Sequence, residues 1–235
     1  MSGERIDNIL ALDAARFPLE RDGGSCPPMD LSLRAGDFVL IEVGEMERGT
    51  AIADACSGLL PLGSGAARFQ GRNWTAMPPA YADAMRGRIG RTFAEDPWLE
   101  HLSVRDNVLL AQLHHTRADV AALAERAARL ARRFGLPGLP VGRPHQLSAD
   151  DLRRAALVRA FLGEPALLLL ESPVRGLFAE LGEALVNTIG QARDRGAAVL
   201  WLTVNSILWA DASLPVSRRY RMIGGALIAS RRLAA

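Results

Sequence analysis

Two glycines, an arginine and a threonine stand between a predicted strand and a predicted helix near the start of the sequence. In Gly44-Glu-Met-Glu-Arg48-Gly49-Thr50, the glycines keep the spacing of a phosphate-binding loop, whose backbone N–H groups and helix N-terminus hold phosphates. Thr50 stands where such a loop supplies a hydroxyl ligand to Mg²⁺. The pattern therefore predicts contact with the polyphosphate of a nucleotide.

The charges around this segment argue against tight phosphate binding. The lysine of the loop is missing between Gly49 and Thr50, and none of the 28 cationic residues of the chain is a lysine. Arg48 could supply a positive charge, but Glu45 and Glu47 set carboxylates beside the phosphates, at a cost of about 1 kcal/mol or more. On its own, the segment favours an ordinary strand, turn and helix, since two glycines at this spacing occur often by chance.

Further segments follow in an order that resembles the ATP-binding cassettes of ABC transporters. The stretch Phe93–Val108 resembles the Q-loop segment, with Ala94 at the glutamine position. The signature motif follows, in which Ser148 is kept while Ala149 and Asp150 replace glycines. The new Cβ limits the close approach of a phosphate, and the new carboxylate repels it.

The last two segments resemble the buried strands that flank the nucleotide in that family. Leu167–Pro173 resembles the Walker B strand, with Glu171 at the aspartate position and Ser172 at the catalytic glutamate. Leu200–Asn205 resembles the switch strand, with Val204 at the histidine position. Five segments in family order, from about residue 9 to residue 228, identify the chain as a degenerate member of this family. The signature helix is most similar to those of phospholipid-transport ABC ATPases.

The resemblance implies an α/β fold, a P-loop NTPase-like ABC cassette. It has a mostly parallel core sheet, an N-terminal antiparallel β part and a helical subdomain. We expect one domain over residues 1–235, with the helical subdomain at about 95–160 inserted in the α/β core. The residue pattern itself predicts a helix-rich region at about 75–140 and a helix capped by Ser148. It also predicts these elements: strands at 37–43, 166–170 and 199–203, a loop at Gly44–Gly49, a helix at Thr50–Leu60 and two short strands over 218–228.

The departures from the family pattern predict a pseudo-ATPase. Phosphoryl transfer needs phosphate clamps, a metal site and a group that orients water. Ser172 cannot act as a base near neutral pH, and neither Ala94 nor Val204 can contact phosphate or metal through a polar group. Glu171 could still hold Mg²⁺ through water, so ATP and Mg²⁺ are expected to bind weakly at most. Two alternatives stay open: a slow ATPase that completes its site with a partner, and an adaptor unconnected with transport.

The implied partners are a membrane permease and a second cassette, in a homodimer or a heterodimer. Trp98, Leu99 and His101 lie where the family contacts the permease. Phe17 lies where the family stacks an aromatic on adenine, although its position favours an ordinary core or surface aromatic. A net charge of +2 gives no reason to expect nucleic acid, and two distant cysteines suit a reducing compartment without a zinc site. We expect a cytoplasmic protein, peripheral to the inner membrane through its permease.

Overall fold

Two β-sheets share the interior of the protein, and the larger sheet carries the helices. The computed structural model describes residues 8–18 and 27–230. The smaller sheet is antiparallel, in the order β2-β1-β4-β5. Its strands are β1 (Asn8–Arg16), β2 (Met29–Arg34), β4 (Ser64–Phe69) and β5 (Arg72–Asn73). Leu10, Leu12 and Phe69 are buried and face the core.

The larger sheet has the order β10-β9-β3-β8-β7-β6. Five neighbouring strands run parallel, and only β10 is antiparallel, as the return strand of a hairpin with β9. Every residue of β7 and β8 is buried, which is expected for parallel strands covered on both faces. Its strands are β3 (Phe38–Glu42), β6 (Ile89–Thr92), β7 (Leu167–Glu171), β8 (Ala198–Thr203), β9 (Arg218–Ile223) and β10 (Ala226–Ala229).

Residues 8–18 and 27–230 include seven α-helices. Helix α5 begins at an N-cap, Ser148, whose hydroxyl accepts a hydrogen bond from the N–H of Asp151 over 3.1 Å. It packs on β6, while α3 and α4 pack on its outer side. The helices are α1 (Met46–Cys56), α2 (Pro79–Arg86), α3 (Val104–His115), α4 (Val120–Arg133), α5 (Ala149–Phe161), α6 (Phe178–Asp194) and α7 (Ser206–Ala210). Within the described ranges, no helix is long and apolar enough to cross a membrane.

The predicted fold class is confirmed, including the antiparallel N-terminal part and the parallel core. The predicted helix is present, but the bounds predicted for it and for the preceding loop are wrong, since α1 begins at Met46 and ends at Cys56. Strand β6 was not predicted, because its four residues include a glycine and an arginine. The division into one domain with an inserted helical part stays a prediction. Cys26, one of the two cysteines noted in the sequence, lies outside the described residues.

Candidate functional site

An open cleft of about 1260 Å³ lies where the parallel strands β3, β6, β7 and β8 end. This edge is where open α/β sheets hold their ligands. Eight of the residues singled out in the sequence line the cleft: Gly44, Glu45, Glu47, Thr50, Ala94, Glu171, Ser172 and Val204. The structure therefore brings together residues that are up to 160 positions apart in the sequence.

The phosphate-binding loop expected at the floor of the cleft is replaced by helix. Only Val43, Gly44 and Glu45 separate β3 from α1, which begins at Met46. Gly49 is buried within α1, and a Cβ on it would lie 3.0 Å from Sδ of Met46 and 3.6 Å from Cβ of Leu202. Gly49 thus allows α1 to pack closely on β8, and its backbone N–H belongs to the helix.

The N-terminus of α1 carries two carboxylates. Glu45 is the N-cap residue and Glu47 lies in the first turn, and both side chains are exposed in the cleft. Negative groups at this end of a helix are stabilised by the helix dipole. Glu45 and Glu47 therefore supply the negative charge that a phosphate would otherwise bring, and they repel a phosphate that approaches. Arg48 is half-buried in α1.

A hydrogen-bonded network fills the centre of the site. The Thr50 hydroxyl donates to Oε2 of Glu171 over 2.6 Å. Nε of Arg91 donates to the other oxygen, Oε1, over 2.7 Å, and its Nη1 donates to Oδ1 of Asp54 over 2.6 Å. The Glu171 side chain is completely buried and the Arg91 side chain is 7% exposed. Both oxygens of the carboxylate at the end of β7 are therefore engaged by protein donors.

These residues do not fit a bound Mg²⁺. The ion needs oxygen ligands in an octahedral arrangement, and the two groups at its expected position, Thr50 and Glu171, are hydrogen-bonded to each other. The Arg91 guanidinium already offsets the charge of Glu171. Among the described residues, no group of three or more His, Cys, Asp or Glu side chains could hold a metal ion. The expectation that Glu171 could hold Mg²⁺ through water is not supported by its contacts.

The three other motif positions at the cleft, Ala94, Ser172 and Val204, offer no general base. Ser172 is half-buried with a φ of +41°, and its N–H donates to the carbonyl of Leu202 over 2.9 Å. Ala94 presents a methyl group, and Val204 presents an isopropyl group that is 49% exposed. Arg175 is an exposed cation on the same wall. The cleft therefore holds several carboxylates and a buried ion pair, and the residues at the expected glutamine, glutamate and histidine positions supply no general base.

The residues of the signature segment lie at the start of α5. Ser148 caps the helix, and Ala149 and Asp150 are exposed beside it. Because α5 leads through a short loop into β7 and packs antiparallel to β6, its N-terminus lies at the same sheet edge as the cleft. None of the three is among the described residues that line the cleft. They remain candidates for contact with another chain.

The predicted partner-facing residues form a partly exposed group before α3. Trp98 is half-buried, Leu99 is 44% exposed and His101 is exposed. The backbone of Leu99 is held by the Asn107 side chain, whose Oδ1 accepts from its N–H over 2.8 Å. Phe17 lies apart from this group, half-buried against the core cluster beneath the smaller sheet. Its packing supports the core reading, and stacking on adenine stays a prediction.

Sequence reasoning missed the three charged residues that organise the interior of the site: Arg91, Asp54 and Asp96. A signal was available, because a charged residue in a buried strand needs a partner of opposite charge. Glu171 closes an otherwise apolar strand, and Arg91 stands in a strand of four residues. Glu171 matched a motif position and Arg91 matched none, so the pairing could not be predicted from motif order.

Comparison with known proteins places this geometry in a family. The family model described as ABC transporter matches residues 28–175. The sulfate/thiosulfate import ATP-binding protein CysA 2 of Chromobacterium violaceum is 34% identical over 175 residues, which cover 74% of this chain and 46% of that protein. The bacitracin export ATP-binding protein BceA of Halalkalibacterium halodurans is 24% identical over 173 residues, which cover 73% of this chain and 68% of that protein.

A solved structure agrees with the fold. The dimeric structure of a bacterial ABC transporter cassette superposes with a TM-score of 0.82 at 18% identity, covering 93% of this chain and 96% of that one. The chain spans about half the length of the first curated relatives that it matches. The similarity to phospholipid-transport cassettes stays a prediction, since the relatives named here are an importer of sulfate and an exporter of bacitracin.

Proposed function

The chain belongs to the ABC transporter family, and from this premise we propose that it is a pseudo-ATPase subunit of a membrane transporter. It keeps the shape of a cassette and transmits or regulates the motion of its partners without hydrolysing ATP. Its location is then the cytoplasmic side of the inner membrane, where it is held by a permease.

One observation carries the proposal: the ion pair between Arg91 and Glu171. In a working phosphoryl-transfer site, a carboxylate at this position serves a metal ion. Here the carboxylate is completely buried and bonded to a cation of the same chain. Breaking such a buried pair costs several kcal/mol, so Mg²⁺ would have to compete with a strong internal partner.

The surroundings of the ion pair support the same conclusion. Residues 46–49, which would surround a phosphate in a phosphate-binding loop, are part of helix α1. Glu45 and Glu47 line the cleft at the N-terminus of this helix. Ser172 cannot serve as a general base near neutral pH. The groups that would bind phosphate, bind a metal ion and act as a base are all missing or engaged elsewhere. This combination favours an inactive subunit over a slow ATPase to which a partner supplies one group.

The proposed partners are a membrane permease and a second cassette. Trp98, Leu99 and His101 supply a surface for the permease, and Ser148, Ala149 and Asp150 supply an exposed helix start for the second cassette. Asp150 would set a carboxylate near any nucleotide that the second cassette holds. We therefore propose that the partner's chemistry, where it occurs, depends little on this chain's signature segment.

The decisive experiment is equilibrium binding of a fluorescent ATP analogue with Mg²⁺, up to millimolar concentrations, with the bacitracin export ATP-binding protein as the positive control. We expect no saturable binding to this chain. Saturable binding at micromolar concentrations would overturn the proposal in favour of the slow ATPase. A second arm isolates the protein from its native host: a stable complex with a permease supports a transporter subunit, and a purely monomeric protein favours the adaptor.

A further inference from the structure

A buried carboxylate joins the segment after β6 to helix α5. Oδ2 of Asp96 pairs with Nη1 of Arg153 over 3.2 Å, and Oδ1 pairs with Nη2 of Arg159 over 3.2 Å. The three side chains are 7%, 18% and 15% exposed, in that order. Burial raises the pKa of Asp96, while Arg159 and Arg153 oppose the rise. The negative charge of this carboxylate therefore depends on both arginines.

The same two arginines also bind the backbone of the segment. Nη1 of Arg159 donates to the carbonyl of Pro97 over 2.9 Å, and Nη1 of Arg153 lies 3.4 Å from the carbonyl of Phe93. Within the segment, the N–H of Phe93 donates to Oδ1 of Asp96 over 3.4 Å. Side-chain and backbone contacts thus fix both ends of residues 93–97 to α5. We call this arrangement the Asp96 clamp.

Aromatic contacts connect the clamp to the centre of the cleft. The Arg159 guanidinium lies 4.5 Å from the ring centre of Trp98 and 5.8 Å from that of Phe93. The Arg91 guanidinium lies 4.3 Å from the ring centre of Phe93. Cation–π contacts of this kind are favourable when the groups are shielded from water. A continuous set of contacts therefore runs from Glu171 through Arg91, Phe93 and Arg159 to Asp96.

We propose that the Asp96 clamp fixes residues 93–98 to helix α5, so that this segment and the helix move as one body whether or not nucleotide is present. Ala94 lies within the clamped segment and has no polar group with which to sense a ligand in the cleft. Only the identity of the partner, a permease at Trp98 and Leu99, rests on the proposed function. The clamp then holds the permease-facing residues in a fixed position relative to α5.

Hydrogen exchange of the full-length chain, followed by mass spectrometry, tests the clamp. In the wild type, we expect slow exchange at the hydrogen-bonded amides of the segment 93–103, those of Phe93, Leu99 and Leu102, and over the helical segment 149–161. Addition of Mg²⁺ and a non-hydrolysable ATP analogue should change neither segment. Asp96→Asn removes the charge that both arginines share, so exchange in both segments should rise together by about tenfold or more. Glu95→Gln alters an exposed neighbour of the same loop and should leave both segments unchanged.

Each outcome decides the proposal. The proposal is overturned if Asp96→Asn exchanges as slowly as the wild type. It is also overturned if exchange rises in only one of the two segments. If Asp96→Asn does not fold, Arg159→Lys is measured in the same way, because it keeps a positive charge while losing the planar contacts with Phe93 and Trp98. Nucleotide that binds without altering these segments would contradict the proposed function and leave the clamp intact. Nucleotide that alters them would contradict the clamp itself.

Discussion

Nε of Arg91 donates a hydrogen bond of 2.7 Å to Oε1 of Glu171 at the carboxyl end of β7. Neither side chain is appreciably exposed to water, and the other oxygen of Glu171 is held by the Thr50 hydroxyl. The guanidinium extends to Asp54, which is one-third exposed at the rim of the network. The charge of a buried carboxylate is thus balanced within the chain, at the edge where open α/β sheets hold their ligands.

The first prediction concerns the stability that this pair provides. Arg91→Met should lower the free energy of unfolding by about 3–5 kcal/mol, because it leaves the Glu171 charge buried without a partner. Urea unfolding followed by far-UV circular dichroism measures the change. Arg88→Met is the matched control: Arg88 is exposed and its Nη1 donates to Oε1 of Gln70, so its loss should cost less than about 1 kcal/mol.

A second variant separates lost charge pairing from lost packing. Arg91→Met combined with Glu171→Leu removes both charges, and most of the stability lost in the single variant should return. Equal instability of the single and double variants would mean that packing around Arg91, and not the ion pair, accounts for the effect.

The second prediction concerns the carboxylates at the start of α1. Glu45→Gln and Glu47→Gln should each lower the free energy of unfolding by about 0.3–1 kcal/mol, because both charges lie at the positive end of the helix dipole. The loss should shrink in about 1 M NaCl, which screens exposed charges. The double variant should still bind no Mg²⁺-ATP, since neutral side chains do not restore the loop. A rise in stability would contradict the dipole argument.

Much of the fold could be predicted from apolar runs and caps. Strands β7 and β8 are continuous apolar segments bounded by turns, and Ser148 precedes α5 at the N-cap position, so each follows from local chemistry. The start of α1 could not be predicted by motif spacing. With the lysine deleted, Met46, Glu47 and Arg48 follow their own helix propensity and continue the helix through Gly49.

The sequence predicted which residues line the candidate site, but it did not predict which side chains bond to one another there. Thr50, Ala94, Glu171, Ser172 and Val204 gather in one cleft, as their motif order indicates. The partner of Glu171 depends on strand order in space: β6 pairs with β7 although their sequences lie more than seventy residues apart. Only the sheet register brings Arg91 next to that carboxylate, so no local pattern could identify it.

The third prediction concerns the thiol of Cys56, which is buried at the end of α1. Burial raises the pKa of this thiol from its ordinary value of 9.0 to about 12, and the charge of Arg91 opposes the rise. A Cys26→Ser variant leaves Cys56 as the single thiol. This thiol should not react with a thiol reagent at pH 8 in the native protein, and it should react at once in urea. Rapid native reaction would show that α1 opens locally.

The same pKa shift makes stability depend on pH in the alkaline range. The unfolded thiol ionises above pH 9 while the folded thiol keeps its proton, so the contribution of Cys56 is complete below pH 9 and is lost as the pH rises toward 12. The loss should be about 1.4 kcal/mol for each pH unit above 9. Urea unfolding of the wild type and of Cys56→Ala measures this loss as a function of pH. The difference in the free energy of unfolding between the two proteins should be constant below pH 9.

The last prediction concerns Gly90, where β6 meets α5. A Cβ at this position would lie 1.9 Å from the carbonyl oxygen of Ala160 and 2.9 Å from Cγ of Pro165. Gly90→Ala must therefore push β6 away from α5, and it should lower the free energy of unfolding by about 1–3 kcal/mol or more. Gly138→Ala is the matched control, since a Cβ there meets no atom within 4 Å. Equal urea midpoints for the two variants would contradict the close contact between β6 and α5, on which the geometry of the Arg91 pair depends.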